Sequence, residues 1–255
     1  GYEHDGPMKS GINHGDPITG SHAAGLVLAA LRYRKKTGKG MFVDVSQQES
    51  AVSLIGGEVV SYQISGAEPE RIGNHSPYFS PHNIYPCSGD DRWVTIAITN
   101  ESEWQNLVNV IGDPQLHSTD KFSNNEQRIF HQAELDKLIG DWTINHEMYG
   151  IVHKLQEAGV PSGPVLRGPD LLEDPHFSER NTFNNVDHPQ VGPKWYPGFA
   201  WKMSVTPGQV HWPAPTLGQH NHTVYSEFLG LTDAAITNLE ETGVIGTKPT
   251  GSRII

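Results

Sequence analysis

Cysteine is almost absent. Cys87 is the single thiol in 255 residues, so an internal disulfide framework is excluded and a reducing cytoplasm is the expected setting. Long apolar runs are missing too. None reaches the roughly 18 residues that a membrane-spanning helix needs. The most apolar stretch, Ala23 to Leu31, leads straight into Arg32, Arg34, Lys35 and Lys36, which puts positive charge on the wrong side for a secretory signal. Positive charge is scarce: 18 Lys and Arg against 29 Asp and Glu leave a net charge of −11. That balance argues against nucleic acid or an anionic membrane surface as a partner. Metal-ligand spacings are lacking despite fourteen histidines: there is no H-E-x-x-H and no paired Cys/His pattern. His220 and His222, in "GQHNHTV", read as loop residues, and neither a metal ion nor a permanently bound cofactor is expected. The chain opens Gly-Tyr-Glu-His rather than on methionine, which leaves a processed product, a cut piece and part of a longer polypeptide all open.

What is present is a 36% hydrophobic composition with six tryptophans, fit for a folded core. "GDPITGSHAAGLVLAALRYRKKTGKG" predicts a helix from about Pro17 or Thr19 to Thr37, with Ala23, Ala24, Val27, Ala30 and Leu31 on its inner side and glycine stopping it. The RYRKK cluster could receive an anionic ligand, or merely offset the helix dipole. "MFVDVS" predicts a short strand, and Ser46 with Glu49 three residues on predicts the cap of a second helix running to about Ile64. Helix, strand, helix indicates an α/β layering.

From Gly66 the texture changes to "GAEPERIGNHSPYFSPHN", a long irregular loop of the kind that carries function. A hairpin follows in "NIYPC" and "RWVTIAIT". Helices are then expected in "ESEWQNLVNVIG", "NEQRIFHQAELDKLIGDWT" and "NHEMYGIVHKLQEAG", and a strand in "VPSGPVL". Asp174 before Pro175 predicts a helix start. Residues 181–217 read as a proline-rich extended strap, and two closing helices follow, the second capped by Thr232. Residues 1–68 are expected to be part of a large α/β domain, 69–180 a small α+β domain holding the loop, and 181–255 a strap and helices returning to the large domain. Cys87, in "YPCSGDDRW", is read as an ordinary strand-end residue.

The chemistry turns on Asp16. Asp is a favoured N-cap and Pro a favoured first helical residue, so "Asp-Pro-Ile-Thr" is a ready helix start with no chemistry at all. A carboxylate at a helix N-terminus is also favoured in its charged form and can attack an activated acyl group. Neighbouring backbone N–H groups can steady the developing oxyanion, and Gly15 leaves room for a substrate. The residues alone leave both roles open.

"GDPITGSHAAGLVLAALRYRKKTGKGMFVDVSQQESAV" resembles the family III CoA-transferases, the group of formyl-CoA and carnitine CoA-transferases. The resemblance continues through "RIGNHSP", "YPCSGDDRWVTIAI", "VPSGPVL", "LLEDPHF" and "PAPTLGQHN", essentially the whole chain. It implies the C-terminal portion, or one subunit, of such an enzyme: an incomplete Rossmann-like large domain plus a smaller α+β domain, in an interlocked dimer. It implies that Asp16 is the nucleophile, passing through a mixed anhydride and an aspartyl-CoA thioester. His14, Gly15, Gly73, Asn74 and His75 would then bind substrate. Coenzyme A and acyl-CoA enter as substrates, a small organic acid as acceptor. The nucleotide-binding half that precedes the G-D turn in the family would come from elsewhere, in a homodimer or in a complex with another chain. Where the family has G-E-H, this chain has Gly218, Gln219 and His220, which unsettles one helix-end contact. Two other functions fit the same residues: an α-methylacyl-CoA racemase with Asp16 as acid/base, and a non-catalytic partner subunit with Asp16 as a helix cap.

Overall fold

The computed structural model describes residues 1–2, 4–6, 8, 11–117 and 119–249. They form two compact units, Gly1–Val165 and Leu166–Ile255. The fold is mixed α/β, as the pattern of elements predicted.

The first unit begins with α1 (Gly15–Thr37), which ends where Gly38 turns left-handed (φ 74°) and donates its N–H to Arg34 O. The glycine stop is thus where the sequence placed it. None of the 23 residues of α1 is buried, so Val27 and Leu31, expected to face inward, are exposed instead. Residues 41–46 form no strand. Their apolar alternation is that of a strand, but among the described residues no strand lies beside them, and Phe42 is 91% exposed. Ser46 caps α2 (Gln47–Val52) by accepting the Glu49 N–H, as predicted. The predicted single helix is broken, however. A 3-10 turn over Ser53–Ile55 separates α2 from α3 (Gly56–Ser65). The Ser50 and Ser53 hydroxyls bond back to Ser46 O and Ser50 O, and serine hydroxyls that compete for backbone carbonyls in this way bend helices.

The core lies around an antiparallel sheet of β1 (His82–Pro86), β2 (Trp93–Ala97) and β3 (Ser162–Pro164) in the order β1-β2-β3. Residues of β2 alternate: Val94 and Ile96 are buried while Trp93 and Thr95 are exposed. That one-sided burial is what an antiparallel sheet with a single covered face requires. The covering helices are α4 (Glu101–Ile111), α7 (Gln132–Thr143) and α8 (Met148–Glu157), through Trp104, Leu107, Leu135, Ile139, Ile151 and Leu155. Each fully buried side chain of this size contributes roughly 1.5–3 kcal/mol. Between α4 and α7 run the short α5 (Pro114–His117) and α6 (Asn125–Phe130); His131 interrupts what the sequence read as one helix from α6 into α7.

Cys87 follows β1, buried, and its N–H bonds to Arg92 O at 2.8 Å. Burial, and then the nearby Glu147 charge, push its thiol up to about 11 from an ordinary 9.0. The native state therefore keeps a proton that the unfolded chain releases. This stabilisation is complete below pH 9.0 and is lost as pH rises towards 11. At pH 8, iodoacetamide is expected to label native Cys87 about 100-fold more slowly than the urea-unfolded chain, following the thiolate fractions. Equal labelling rates would contradict this placement.

The second unit starts with α9 (Gly168–Glu173) and α10 (Pro175–Glu179). Asp174 caps α10 through the N–H groups of His176 and Phe177, as predicted. Within the predicted strap, β4 (Phe183–His188) and β5 (Gly192–Pro197) form a hairpin. Pro193 and Pro197 lie in β5, an edge position where a missing N–H donor is tolerated. The first predicted closing helix is a π-type turn, Thr223–Phe228, and the second is α11 (Asp233–Glu241), capped by Thr232. No helix of the described residues is long and apolar enough to cross a membrane.

Candidate active site

Asp16 does not cap α1. The helix begins at Gly15, two residues before Pro17, with His14 at the N-cap position making no side-chain cap bond, and Asp16 inside the first turn. Its own N–H bonds to Asn13 O at 3.1 Å. Pro17, the expected first residue, sits within the opening turn, which it can do because the first four N–H groups of a helix have no intrahelical partner. Asp16 is exposed. One carboxylate oxygen, Oδ1, accepts a hydrogen bond from the Gln47 side-chain amide, at the start of α2. Among the described residues Oδ2 has no hydrogen bond. A carboxylate in a first turn is favoured by the helix dipole by about 0.3–1 kcal/mol, so the chain gains a little stability from Asp16 while leaving an oxygen free.

The second group predicted from sequence lies in the loop after α3. Gly73 is left-handed at φ 61°, and its N–H bonds to Gly1 O at 2.9 Å. The Asn74 amide donates to the Tyr2 hydroxyl at 2.8 Å, and the Arg71 guanidinium bonds to Asp5 O. His75 is held by Asp136 on α7, Nε2 to Oδ2 at 2.7 Å. The same carboxylate accepts the Asn83 amide at 2.8 Å and the Tyr85 hydroxyl at 2.6 Å. Burial, then the Asp136 charge, raise the Tyr85 phenol well above its ordinary value, so it remains a donor and the network keeps one orientation. His75 lines a cleft of about 730 Å³ together with Tyr2, His4, Arg71, Gly73 and Gln132. The lining thus carries two histidines and Arg71 beside the Glu70 carboxylate, and its cationic groups would suit the carboxylate of an organic acid.

His14, Gly15 and Asp16 thus form one cluster and Gly73, Asn74 and His75 another. Hydrogen bonds and ion pairs of the described residues run within each and do not join them. Gln47, Tyr2, Tyr85 and Asp136 were not found from sequence. Asp136, in "AELDKLI", looks like any solvent-side charge on a helix, and its partner His75 is 61 residues away. Gln219, standing where a family glutamate was expected, accepts the Thr216 N–H at 2.9 Å through its amide oxygen.

A Cβ on Gly73 would lie 2.7 Å from the Tyr2 ring, besides forcing a left-handed φ. Gly73→Ala is expected to cost about 1–2 kcal/mol, measured by urea unfolding. A change below a few tenths would mean that the loop is not held as described.

The pattern of CoA-transferase family III matches residues 1–221. Succinyl-CoA–D-citramalate CoA-transferase of Chloroflexus aurantiacus is 34% identical over 245 residues, covering 96% of this chain and 61% of that protein. The beta subunit of succinyl-CoA–L-malate CoA-transferase from the same organism is 28% identical over 232 residues, covering 90% and 57%. The crystal structure of a CAIB/BAIF family protein from Brucella suis superimposes with a TM-score of 0.78 at 25% identity, over 89% of this chain and 58% of that one. The chain therefore spans about three-fifths of the length of the curated relatives it matches. On the breadth of the family match and the shared fold, the chain belongs to CoA-transferase family III.

Proposed function

We propose that the chain takes part in moving coenzyme A from an acyl-CoA thioester to a carboxylic acid, with Asp16 as the covalent nucleophile. The observation that carries this reading is the state of Asp16: an exposed carboxylate in the first turn of α1, not spent on capping, with one oxygen fixed by Gln47 and the other open. Such a group can attack a thioester carbonyl, expel CoA thiolate and form a mixed anhydride. The thiolate then takes the aspartyl group and releases the donor acid, and an incoming carboxylate reverses the sequence to leave as the new acyl-CoA. His14 and Gly15 flank the nucleophile, and the cleft of Arg71, Gly73 and His75, whose loop Asn74 ties to Tyr2, is proposed to bind an anionic part of the substrates.

The relatives named above act on succinyl-CoA with citramalate or malate. We therefore propose succinyl-CoA as donor and a small dicarboxylic acid as acceptor. A homodimer, or a second chain supplying nucleotide-binding elements, is part of the proposal. It is in keeping with the exposure of the apolar side chains Leu28, Phe42 and Ile64 on and between α1 and α3, which a partner chain would cover. The test is turnover: the full assembly, given succinyl-CoA and a panel of dicarboxylates, is expected to form a new acyl-CoA for at least one acceptor. Exchange of the donor's α-proton without transfer to any acceptor would replace this reading by the racemase.

A further inference from the structure

We propose that Gln47 is a catalytic residue of the aspartyl chemistry: its amide selects which oxygen of Asp16 attacks, and then stabilises the charge that appears on the oxygen it holds. The inference rests on the reading of Asp16 as the covalent nucleophile.

Gln47 Nε2 donates to Asp16 Oδ1, and this is the one hydrogen bond its side chain makes among the described residues. Gly15 makes the approach possible. A Cβ there would lie 3.2 Å from Gln47 Cγ and 3.3 Å from Nε2, a tight approach that obliges the Gln47 side chain to shift by a few tenths of an ångström. The backbone of Gln47 is anchored, because Ser46 caps α2 through the Glu49 N–H at 3.2 Å and its carbonyl accepts the Ser50 hydroxyl at 2.9 Å. Gln47 itself is exposed, so the contact with Asp16 is its main engagement.

With Oδ1 held, Oδ2 is the oxygen free to attack. It bonds to the thioester carbonyl carbon, the C–S bond breaks, and CoA leaves as thiolate with the electron pair. In the resulting anhydride Oδ1 is the carbonyl oxygen on Cγ. When the thiolate adds to Cγ, the π electrons move onto Oδ1, which becomes the oxyanion facing the Gln47 N–H. Collapse expels the donor carboxylate, carrying Oδ2, and leaves the aspartyl-CoA thioester. The acceptor carboxylate then adds to Cγ, charge returns to Oδ1, and thiolate leaves again. Finally the thiolate attacks the acceptor's acyl carbon and frees Asp16, whose carboxylate consists of Oδ1 and one acceptor oxygen. Oδ1 thus becomes an oxyanion twice per turnover, where a preoriented donor is worth most. A neutral amide supplies that donor without neutralising the attacking carboxylate, as a lysine or arginine there would.

The test compares wild type, Gln47→Leu and Gly15→Ala in the full assembly, with succinyl-CoA as the probe. Conversion of Asp16 to its CoA thioester is followed in a single turnover by peptide mass spectrometry, alongside steady-state kinetics. Gln47→Leu is expected to slow thioester formation and kcat by about 100-fold, the usual effect of losing one oxyanion donor. KM for both substrates should stay within about twofold, the signature of an interaction made in the transition state. Gly15→Ala should move kcat the same way by a smaller factor, by shifting the amide. Gln47→Leu with wild-type thioester formation and kcat overturns the inference and leaves the nucleophile reading standing. Absence of any thioester on wild-type Asp16 overturns both.

Discussion

Asp16→Asn is expected to abolish CoA transfer, lowering kcat by about 10⁴-fold or more, the scale seen when a covalent nucleophile is removed. The fold should hardly register the change. Asp16 is exposed and caps nothing, so the loss is limited to the dipole interaction of about 0.3–1 kcal/mol. This separation makes the substitution informative: a protein that melts as before yet transfers nothing has lost chemistry rather than structure. A kcat reduced only a few-fold would leave Asp16 without a covalent role.

The largest stability effect is expected at Arg128. It is 1% exposed, between Ser80, Phe122, Trp104 and Glu101. Its Nε donates to Ser80 O at 2.9 Å, its two terminal nitrogens reach Glu101 at 3.0 and 2.6 Å, and its guanidinium lies 4.8 Å from the Trp104 ring centre. Ser80 closes the long loop that carries Gly73 and His75, so Arg128 ties that loop to α6. Arg128→Ala leaves a buried carbonyl unpaired and a cavity beside Trp104. The expected cost is about 3 kcal/mol, a fall of roughly 6–12 °C in the melting of the first unit. Glu101→Gln should cost less, about 1–2 kcal/mol: the buried guanidinium loses its counter-charge, but an amide oxygen can still accept from it, and the Glu101 side chain is 56% exposed. Calorimetry on the two variants checks both values; equal losses would show that the ion pair, rather than Arg128's buried contacts, holds the loop.

Local signals were read correctly from sequence because their physics is local. The Gly38 stop, the Ser46, Asp174 and Thr232 caps and the β1-β2 hairpin each depend on a few neighbouring residues. Errors came where a distant partner, or its absence, decides. "MFVDVS" has a strand's alternation but no neighbouring strand among the described residues. The β4-β5 pairing was hidden by prolines that an edge strand accepts. Asp16 followed by Pro17 looked like an N-cap and first helical residue, yet proline fits anywhere in an opening turn, so the helix could start at Gly15. Of the proposed site, Asp16, Gly15 and the 73–75 loop were suggested by family resemblance. Gln47, 31 residues from Asp16, and Asp136, 61 from His75, were not, since no sequence pattern joins residues that meet only in the folded chain.

The central claim is that Asp16 becomes covalently acylated and then bound to CoA. It is tested most directly by incubating the full assembly with succinyl-CoA, quenching, and mapping the Asp16 peptide by mass spectrometry in deuterated solvent. The account predicts an acyl or CoA adduct on Asp16 that is missing in Asp16→Asn. No adduct on Asp16, with solvent deuterium entering the α-carbon of the acyl-CoA, would contradict it and assign the aspartate to proton transfer.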